Sequence, residues 1–468
     1  MIQNSSAETL RRLAAGTLMP GFTGTTLPEW VVEEFGRGLA AVCIYGDNIS
    51  THAQLRDLTA QIRAAAPEAI VALDEEGGDV TRIHYRDGSN QPGNAILGRL
   101  NDLELTRASA RAIARELRSL GFNLNLAPDA DINSCAENPV IGVRSFGTDP
   151  DVVAAHTAAY TVGLQGEGVA ACAKHFPGHG DTNADSHLTL PVVSAEQSLL
   201  AQRELVPFVK AIATDVAAIM TSHILVPDVD AQNPATFSRS ILHELLRGDL
   251  GFRGVIISDA LDMAGASAHT GIPTAAVRAL QAGADLLCLG TGTTAESFDA
   301  IARAIIEAVS SGALSESRLR EATQRTAQLA SRYRPREVSA RGETLPSGQW
   351  SRAFELGCRV EEWISDPAPV QLVQVDSTSN PAVGHVPWGL ASVAPTVGLE
   401  NIVTGSKILL AARGLHAKHP ARATVETLRA AGHRVLLVNF GWPTDGADVT
   451  TFGASPAVAR CVLNLLTP

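Results

Sequence analysis

Short apolar runs recur along the first 335 residues, and segments with helical spacing of apolar positions separate most of them. A short, mostly apolar run is typical of a parallel strand that is buried on both faces. Between two of the runs, an apolar helical face is formed by Leu103, Leu105, Ile113, Leu117 and Leu120. The runs are Ala15–Met19, Leu39–Tyr45, Ala69–Leu73, Phe122–Ala127, Val169–Ala173, Ala217–Met220, Gly254–Ile257 and Asp285–Leu289.

These eight runs with helical segments between them predict an α/β fold in which residues 1–335 form a (β/α)8 barrel. A doubly wound open sheet is the alternative, and the first unit carries the weakest signal. Local signals predict where helices begin. Thr51 with Gln54 and Ser194 with Gln197 have the spacing of capping boxes, and Asp149 precedes a proline suited to a first helical turn.

The pattern of apolar and polar residues changes after Pro335. Residues 336–349 are polar and contain Gly and Pro, which predicts a linker. Residues 350–468 then predict a small C-terminal α/β domain, whose role the sequence does not indicate. Its signals are the strand-like runs Val370–Val375, Lys407–Ala412 and Arg434–Val438, and a helix-like stretch at Ala421–Ala431.

Composition narrows the class of protein. Hydrophobic residues make up 45% and charged residues 18%, a balance that supports a buried core and excludes a disordered chain. The net charge of −12 argues against nucleic acid or an anionic membrane as a main partner. No signal peptide or membrane-length apolar stretch is evident, and the six cysteines form no C-x-x-C pair. We therefore expect a cytoplasmic protein, and no signal indicates its oligomeric state.

In a barrel the active site lies at the carboxyl ends of the strands, so the residues after each apolar run are informative. Asp259 follows Ser258, the residue after the seventh run, and two interpretations of it carry equal weight. Its carboxylate points into the barrel mouth, or it is the N-cap of the next helix. Polar clusters also follow the third, fourth, fifth and sixth runs, at residues 74–78, 128–133, 174–187 and 222–223. Their convergence on one face is hard to explain by loop solvation.

The cluster after the fifth run, residues 174–187, is dense in His, Asp and Lys, and three interpretations compete. It is a polar loop, a metal site using His175, His179 and His187, or an acid/base loop. The spacing fits no standard zinc pattern. Asp185 and His187 are two residues apart, so the carboxylate can hydrogen-bond the imidazole and raise its basicity.

The same segment, KHFPGHGDTNADSH, followed by LTLP, resembles the signature of glycoside hydrolase family 3 in its β-N-acetylglucosaminidase branch. Three further motifs appear in the order of that family: DEEGG at 74–78, RSFG at 144–147 and SDALDM at 258–263. The likeness covers about residues 10–330.

The resemblance implies a barrel that removes terminal N-acetyl-β-D-glucosamine, from peptidoglycan fragments or chitooligosaccharides, with retention of configuration. It implies that Asp259 is the nucleophile and that His187, paired with Asp185, is the general acid/base. It further implies that sugar is bound by Asp74, Arg82, Arg144, Lys174 and His175. No cofactor and no metal are implied, and a cytoplasmic location suits cell-wall recycling.

The chain departs from the family pattern DQEGGRVQR. Glu75 replaces Gln, Asp79 replaces Arg and Thr81 replaces Gln, whereas Asp74 and Arg82 keep their spacing. We expect these changes to alter the rim of the pocket and the group tolerated beyond the first sugar.

Four alternatives to the hydrolase remain open at this level. A phosphorylase would use the same site, because a neutral imidazole repels phosphate less than a carboxylate does. A β-glucosidase is less favoured, since the His loop belongs to the acetamido-sugar branch. A catalytically silent sugar-binding protein conflicts with intact Asp259, Asp185 and His187. A metal-dependent hydrolase using the three histidines would lose activity to a chelator.

Overall fold

The computed structural model describes residues 6–186, 189–268, 270–335, 347–377 and 382–467. Eight parallel strands form the first sheet, in the order β1-β8-β7-β6-β5-β4-β3-β2. β1 and β2 stand at the two ends of this order, and the Cys43 N–H donates to the Pro20 carbonyl at 2.9 Å between them, which brings the two ends of the sheet together. The strands are β1 Leu18–Met19, β2 Ala41–Cys43, β3 Ile70–Leu73, β4 Leu124–Asn125, β5 Ala170–Phe176, β6 Ala218–Thr221, β7 Val255–Ser258 and β8 Leu286–Cys288.

Because the two ends of the sheet meet and helices pack around it, the architecture is the predicted (β/α)8 barrel and not the open-sheet alternative. A π-helix, Ser240–Asp249, lies between β6 and β7. The α-helices of this part are α1 Ala7–Ala15, α2 Glu29–Gly36, α3 His52–Ala65, α4 Asn94–Leu100, α5 Leu103–Ser119, α6 Pro150–Gly166, α7 Gln197–Gln202, α8 Val206–Ala213, α9 Ala264–Ser267, α10 Ile272–Ala282, α11 Ala295–Ser310 and α12 Glu316–Arg332.

Two of the three predicted helix starts are confirmed. The Thr51 side chain accepts from the Gln54 N–H, and Asp149 caps the helix that starts at Pro150. The third is wrong, because α7 begins at Gln197 after Glu196, and the Gln197 N–H donates to Asp228 instead of to Ser194.

The strands are mostly apolar because both of their faces are buried. In β2, Ala41 and Cys43 lie in the cluster that fills the barrel, together with Ile70 and Ala72 of β3. The intervening Val42 belongs to the layer between the strands and the surrounding helices. Alternation along each strand therefore divides one short run between two cores.

A second, five-stranded sheet has the order β10-β11-β12-β13-β9, with β9 antiparallel to its neighbour. The small C-terminal α/β fold is thus confirmed, while the domain limits 1–335, 336–349 and 350–468 stay a prediction; residues 336–346 lie outside the described residues. The elements are β9 Glu355–Leu356, α13 Arg359–Ser365, β10 Val370–Gln374, β11 Lys407–Ala412, α14 Pro420–Ala430, β12 Arg434–Asn439, β13 Val449–Thr450 and α15 Pro456–Leu466.

The segment after β3 joins the two sheets. Asp79, whose side chain is 4% exposed, accepts from the Arg413 guanidinium at 3.1 Å and from the Ala454 N–H at 2.7 Å. The Tyr85 hydroxyl accepts from the His385 N–H at 3.0 Å. Asp79 is one of the departures from the family pattern, so this departure serves contact between the barrel and the C-terminal fold.

No helix of the described ranges combines the length and apolar character needed to cross a lipid bilayer.

We predict that Arg413→Gln lowers the free energy of unfolding by about 3 kcal/mol, because it leaves the Asp79 carboxylate buried without its cation. Arg303→Gln is the matched control, since Arg303 pairs with Asp299 in an exposed ion pair, which solvent screens and which therefore adds little stability. Thermal unfolding of the two variants measures the difference. Equal stability of both would contradict a structural role for the Asp79–Arg413 contact.

Candidate functional site

A cavity of about 280 Å³ opens at the carboxyl ends of the barrel strands. Six of the eight residues predicted for the site line it: Asp74, Arg82, Arg144, Lys174, His175 and Asp259. Asp185 is buried but is not on the cavity wall, and His187 lies outside the described residues. Glu75, Asp79 and Thr81 are buried and do not line the cavity either, so their effect on its rim stays a prediction.

Strand ends and two short loops bring these side chains together. Asp74 follows the last residue of β3, and Asp259 follows the last residue of β7. Lys174 and His175 lie within β5 itself. Arg144 ends a 3₁₀ turn, where the Asn94 side chain donates to its carbonyl at 2.6 Å.

Arg82 is held from two sides. Its N–H donates to the buried Glu75 carboxylate at 2.9 Å, which also accepts from the Thr81 hydroxyl at 2.9 Å. The Arg82 guanidinium donates to the Ala382 carbonyl at 2.8 Å and lies 3.8 Å from the Asp74 carboxylate. Ala382 lines the cavity, so the region after the barrel contributes to the wall of the site.

A network of buried charges forms the polar side of the cavity. The Lys174 ammonium lies 2.7 Å from Asp74 and 2.8 Å from Glu76. The Arg144 guanidinium binds both oxygens of Glu76, at 2.8 and 3.0 Å. Two cations and two carboxylates therefore neutralise one another, and most of their side-chain surface is buried.

The network fixes the protonation states of its members. Burial raises the pKa of Asp74, but Lys174 and Arg82 outweigh burial and hold that pKa below its ordinary value. Burial likewise raises the pKa of Glu76, and Arg144 and Lys174 bring it far below the usual range. Burial lowers the pKa of Lys174, yet Asp74 and Glu76 raise it well above normal. Asp74 thus stays an acceptor and Lys174 a donor.

A second carboxylate orients His175. Asp131 accepts from the His175 ring at Nδ1, 2.7 Å away, and from its backbone N–H at 3.2 Å. Burial raises the pKa of Asp131, but His175 and His179 reverse the shift and lower it. His175 Nε2 lies 3.4 Å from Arg144, so the ring faces the charge network.

Glu76 and Asp131 have roles that the sequence analysis did not assign. Both follow a strand and lie two residues after another acidic residue, Asp74 and Asp129 respectively. In extended backbone, residues two apart point to the same side. That spacing is the signal that could have identified them.

Asp129, Asp131 and His175 lie close enough together to hold a metal ion. The Arg144 guanidinium is 3.5 Å from Asp129 and already supplies a positive charge there. Burial and the charge of Asp131 raise the pKa of Asp129 well above normal. In this group of acidic residues, the arginine thus occupies the position of a cation. The predicted alternative of His175, His179 and His187 cannot be compared as a set, because His187 lies outside the described residues.

The loop after β5 is anchored up to Ser186. The His179 ring contacts the hydroxyls of Thr182 and Ser186, both at 3.0 Å, and its N–H donates to Asp131 at 2.7 Å. Burial lowers the pKa of His179 to about 4, so this ring is neutral near pH 7. The Arg203 guanidinium bridges Asp181 of the loop and buried Glu204.

Asp259 does not cap a helix. The next helix, α9, begins at Ala264 after Met263. The Asp259 carboxylate accepts from the Ala260 N–H at 2.8 Å and borders the cavity. The N-cap interpretation is wrong, and the interpretation that remains is a carboxylate at the barrel mouth.

Comparisons with known proteins agree with this geometry. The model of the glycosyl hydrolase family 3 N-terminal domain matches residues 26–329. A β-hexosaminidase of Nitrosomonas eutropha is 38% identical over 283 residues, which are 58% of this chain and 80% of that protein. β-Hexosaminidase A of Pseudoalteromonas piscicida is 34% identical over 332 residues, or 65% of this chain, and the match spans 55% of that longer protein.

Among solved structures, a family 3 β-N-acetylglucosaminidase from Paenibacillus sp. str. FPU-7 superposes with a TM-score of 0.85 at 29% identity. The superposition covers 98% of this chain and 96% of that one, so it includes both sheets. The family match covers most of the chain, and six of the eight residues predicted for the site line the cavity. The chain belongs to glycosyl hydrolase family 3 and is a glycoside hydrolase.

Proposed function

We propose that this enzyme is a retaining β-N-acetylglucosaminidase that removes terminal N-acetyl-β-D-glucosamine from peptidoglycan fragments or chitooligosaccharides. The observation that carries the proposal is one cavity with Asp259 at one strand end and the Asp74–Lys174–Glu76–Arg144 network at others. Relatives named β-hexosaminidase and β-N-acetylglucosaminidase support the same activity.

The network suits the hydroxyl-rich face of a sugar. Lys174, Arg82 and Arg144 offer donors, and Asp74 offers an ionised acceptor for hydroxyl groups. Because these groups are fixed before substrate arrives, binding need not reorder them. The floor of the cavity consists of barrel-core side chains, including Leu126 and Met220, so the site suits the end of a glycan chain.

Hydrolysis with retention requires a carboxylate that attacks the anomeric carbon and a proton donor for the leaving oxygen. Asp259 is the proposed nucleophile, which forms a glycosyl-enzyme as the aglycone oxygen takes a proton from His187. The neutral His187 then accepts a proton from the incoming water, and the oxygen of that water displaces Asp259 from the sugar. Imidazole titrates near neutrality, so His187, paired with Asp185, can serve both steps.

Asp259→Ala is expected to abolish release of p-nitrophenol from the aryl N-acetyl-β-glucosaminide, because the covalent intermediate can no longer form. Asp262→Ala removes the next carboxylate along the same loop, which also lines the cavity and accepts from the Thr291 N–H, and it should leave more of the activity. In buffer with phosphate, the wild-type product should be the free sugar. Activity retained by Asp259→Ala, or a sugar 1-phosphate as product, would contradict the proposal.

His187→Ala should affect substrates according to their leaving groups. Chitobiose has a poor leaving group and needs the proton, so its turnover should fall by about 10²–10⁴-fold. The glycosylation step of an aryl substrate with an acidic phenol should slow far less. Single-turnover rates for both substrates measure this contrast. An equal loss of rate on both would argue against His187 as the proton donor.

The segment that follows β5 contacts the Glu204 side chain. This carboxyl packs against Gly178, and burial raises its pKa to about 7 in spite of the neighbouring Arg203. Between about pH 4.5 and 7, the folded state therefore keeps a proton on Glu204 that the unfolded chain, with an ordinary pKa of 4.5, has lost. The contribution of protonated Glu204 to the stability of the fold is present below about pH 4.5 and is lost as the pH rises towards about 7.

Glu204→Gln should remove this part of the pH dependence, on the order of 2–3 kcal/mol between pH 4.5 and 8. Thermal unfolding across that range, with the exposed Glu307→Gln as control, measures it. A stability profile that follows the wild type in both variants would show that Glu204 titrates normally.

A further inference from the structure

A second cluster of metal-ligand side chains lies outside the sugar cavity. His52 is the first residue of α3, His84 lies in the segment after β3, and Glu116 lies in α5. One ligand atom from each of the three lies within 4.8 Å of the other two. All three side chains are partly buried, and none lines the cavity.

The distance between His84 and Glu116 is close to that between two ligand atoms of a tetrahedral ion. The His84 Nε2 atom is 3.2 Å from the Glu116 carboxylate. Zinc binds imidazole nitrogen and carboxylate oxygen at about 2.0–2.2 Å, which places neighbouring ligand atoms of a tetrahedron about 3.3–3.6 Å apart. The rings of His52 and His84 approach edge to face, with centroids 5.4 Å apart.

The His52 ring is oriented by backbone. Its Nε2 donates to the Ile83 carbonyl at 2.9 Å, so the second ring nitrogen keeps its lone pair. Histidine ligands of metals are commonly fixed in this way, with one nitrogen donating to a carbonyl or carboxylate. The bond also ties His52 to the residue directly before His84.

The charges around the cluster favour a cation. Glu116, Glu75 and Asp87 all act on His84 electrostatically. Glu116 forms an ion pair with His84, whose Nε2 atom is 3.2 Å away. By contrast, the acidic group around Asp129 has the Arg144 guanidinium 3.5 Å away.

We propose that His52, His84 and Glu116 bind a divalent transition-metal ion of the zinc class, with water completing the coordination. Two imidazoles and one carboxylate suit zinc and disfavour calcium or magnesium, which prefer oxygen ligands. The ion joins α3, α5 and the segment after β3. That segment carries Arg82 of the sugar site two residues earlier, and the metal braces it from outside the cavity.

The test is titration of the metal-free, full-length chain with zinc chloride in competition with a chromophoric chelator. The wild type is expected to bind one zinc ion at this site and to unfold at a higher temperature with zinc present. His84→Asn and Glu116→Gln should each weaken binding by about tenfold or more and lose that temperature shift. His243→Asn, on an exposed histidine, should change neither.

Two results would overturn the proposal. One is a wild-type chain that binds no zinc. The other is undiminished binding by Glu116→Gln, which would locate the ion elsewhere, for example at Asp129 and His175. Unfolding temperatures measured with a chelator present show whether each variant is folded. If His84→Asn does not fold, Glu116→Gln decides the test. The outcome is independent of glycosidase activity.

Discussion

The ion network around Lys174 is the interaction on which the site depends. A buried ammonium and a buried guanidinium are costly unless each is paired, and here Asp74 and Glu76 pair them both. Removing one member would leave an uncompensated charge in a closed site. The same pairing keeps each group in one protonation state, which is what recognition of neutral hydroxyl groups requires.

The barrel makes this network possible because it gathers strand ends that are far apart in sequence. Asp74 and Lys174 are separated by 100 positions and meet because β3 and β5 flank β4. The segment after β3 then carries several constraints at once. It holds Asp74, Glu76 and Arg82 for the cavity, Asp79 for Arg413, and His84 for the proposed metal site. Substitutions there therefore act on binding and stability together.

Much of the barrel is predictable from the sequence because a strand buried on both faces has a local signature. All eight barrel strands overlap an apolar run, and Asp259 lies two residues after the seventh. Contacts between distant parts of the chain leave no such signature. The Arg82–Ala382 bond spans 300 positions and the Asp79–Arg413 contact spans 334, so neither could be inferred from spacing. The two-residue strands β9 and β13 are too short to produce a pattern.

The central claim is that Asp259 forms a covalent bond to N-acetylglucosamine during turnover. Incubating the enzyme with a fluorinated N-acetylglucosaminyl donor that is released slowly, followed by peptide mass spectrometry, tests it most directly. The account predicts one added sugar on the peptide that contains Asp259, and its loss on further incubation. A sugar attached to another residue, or an active enzyme that turns the donor over with inversion and forms no adduct, would contradict it.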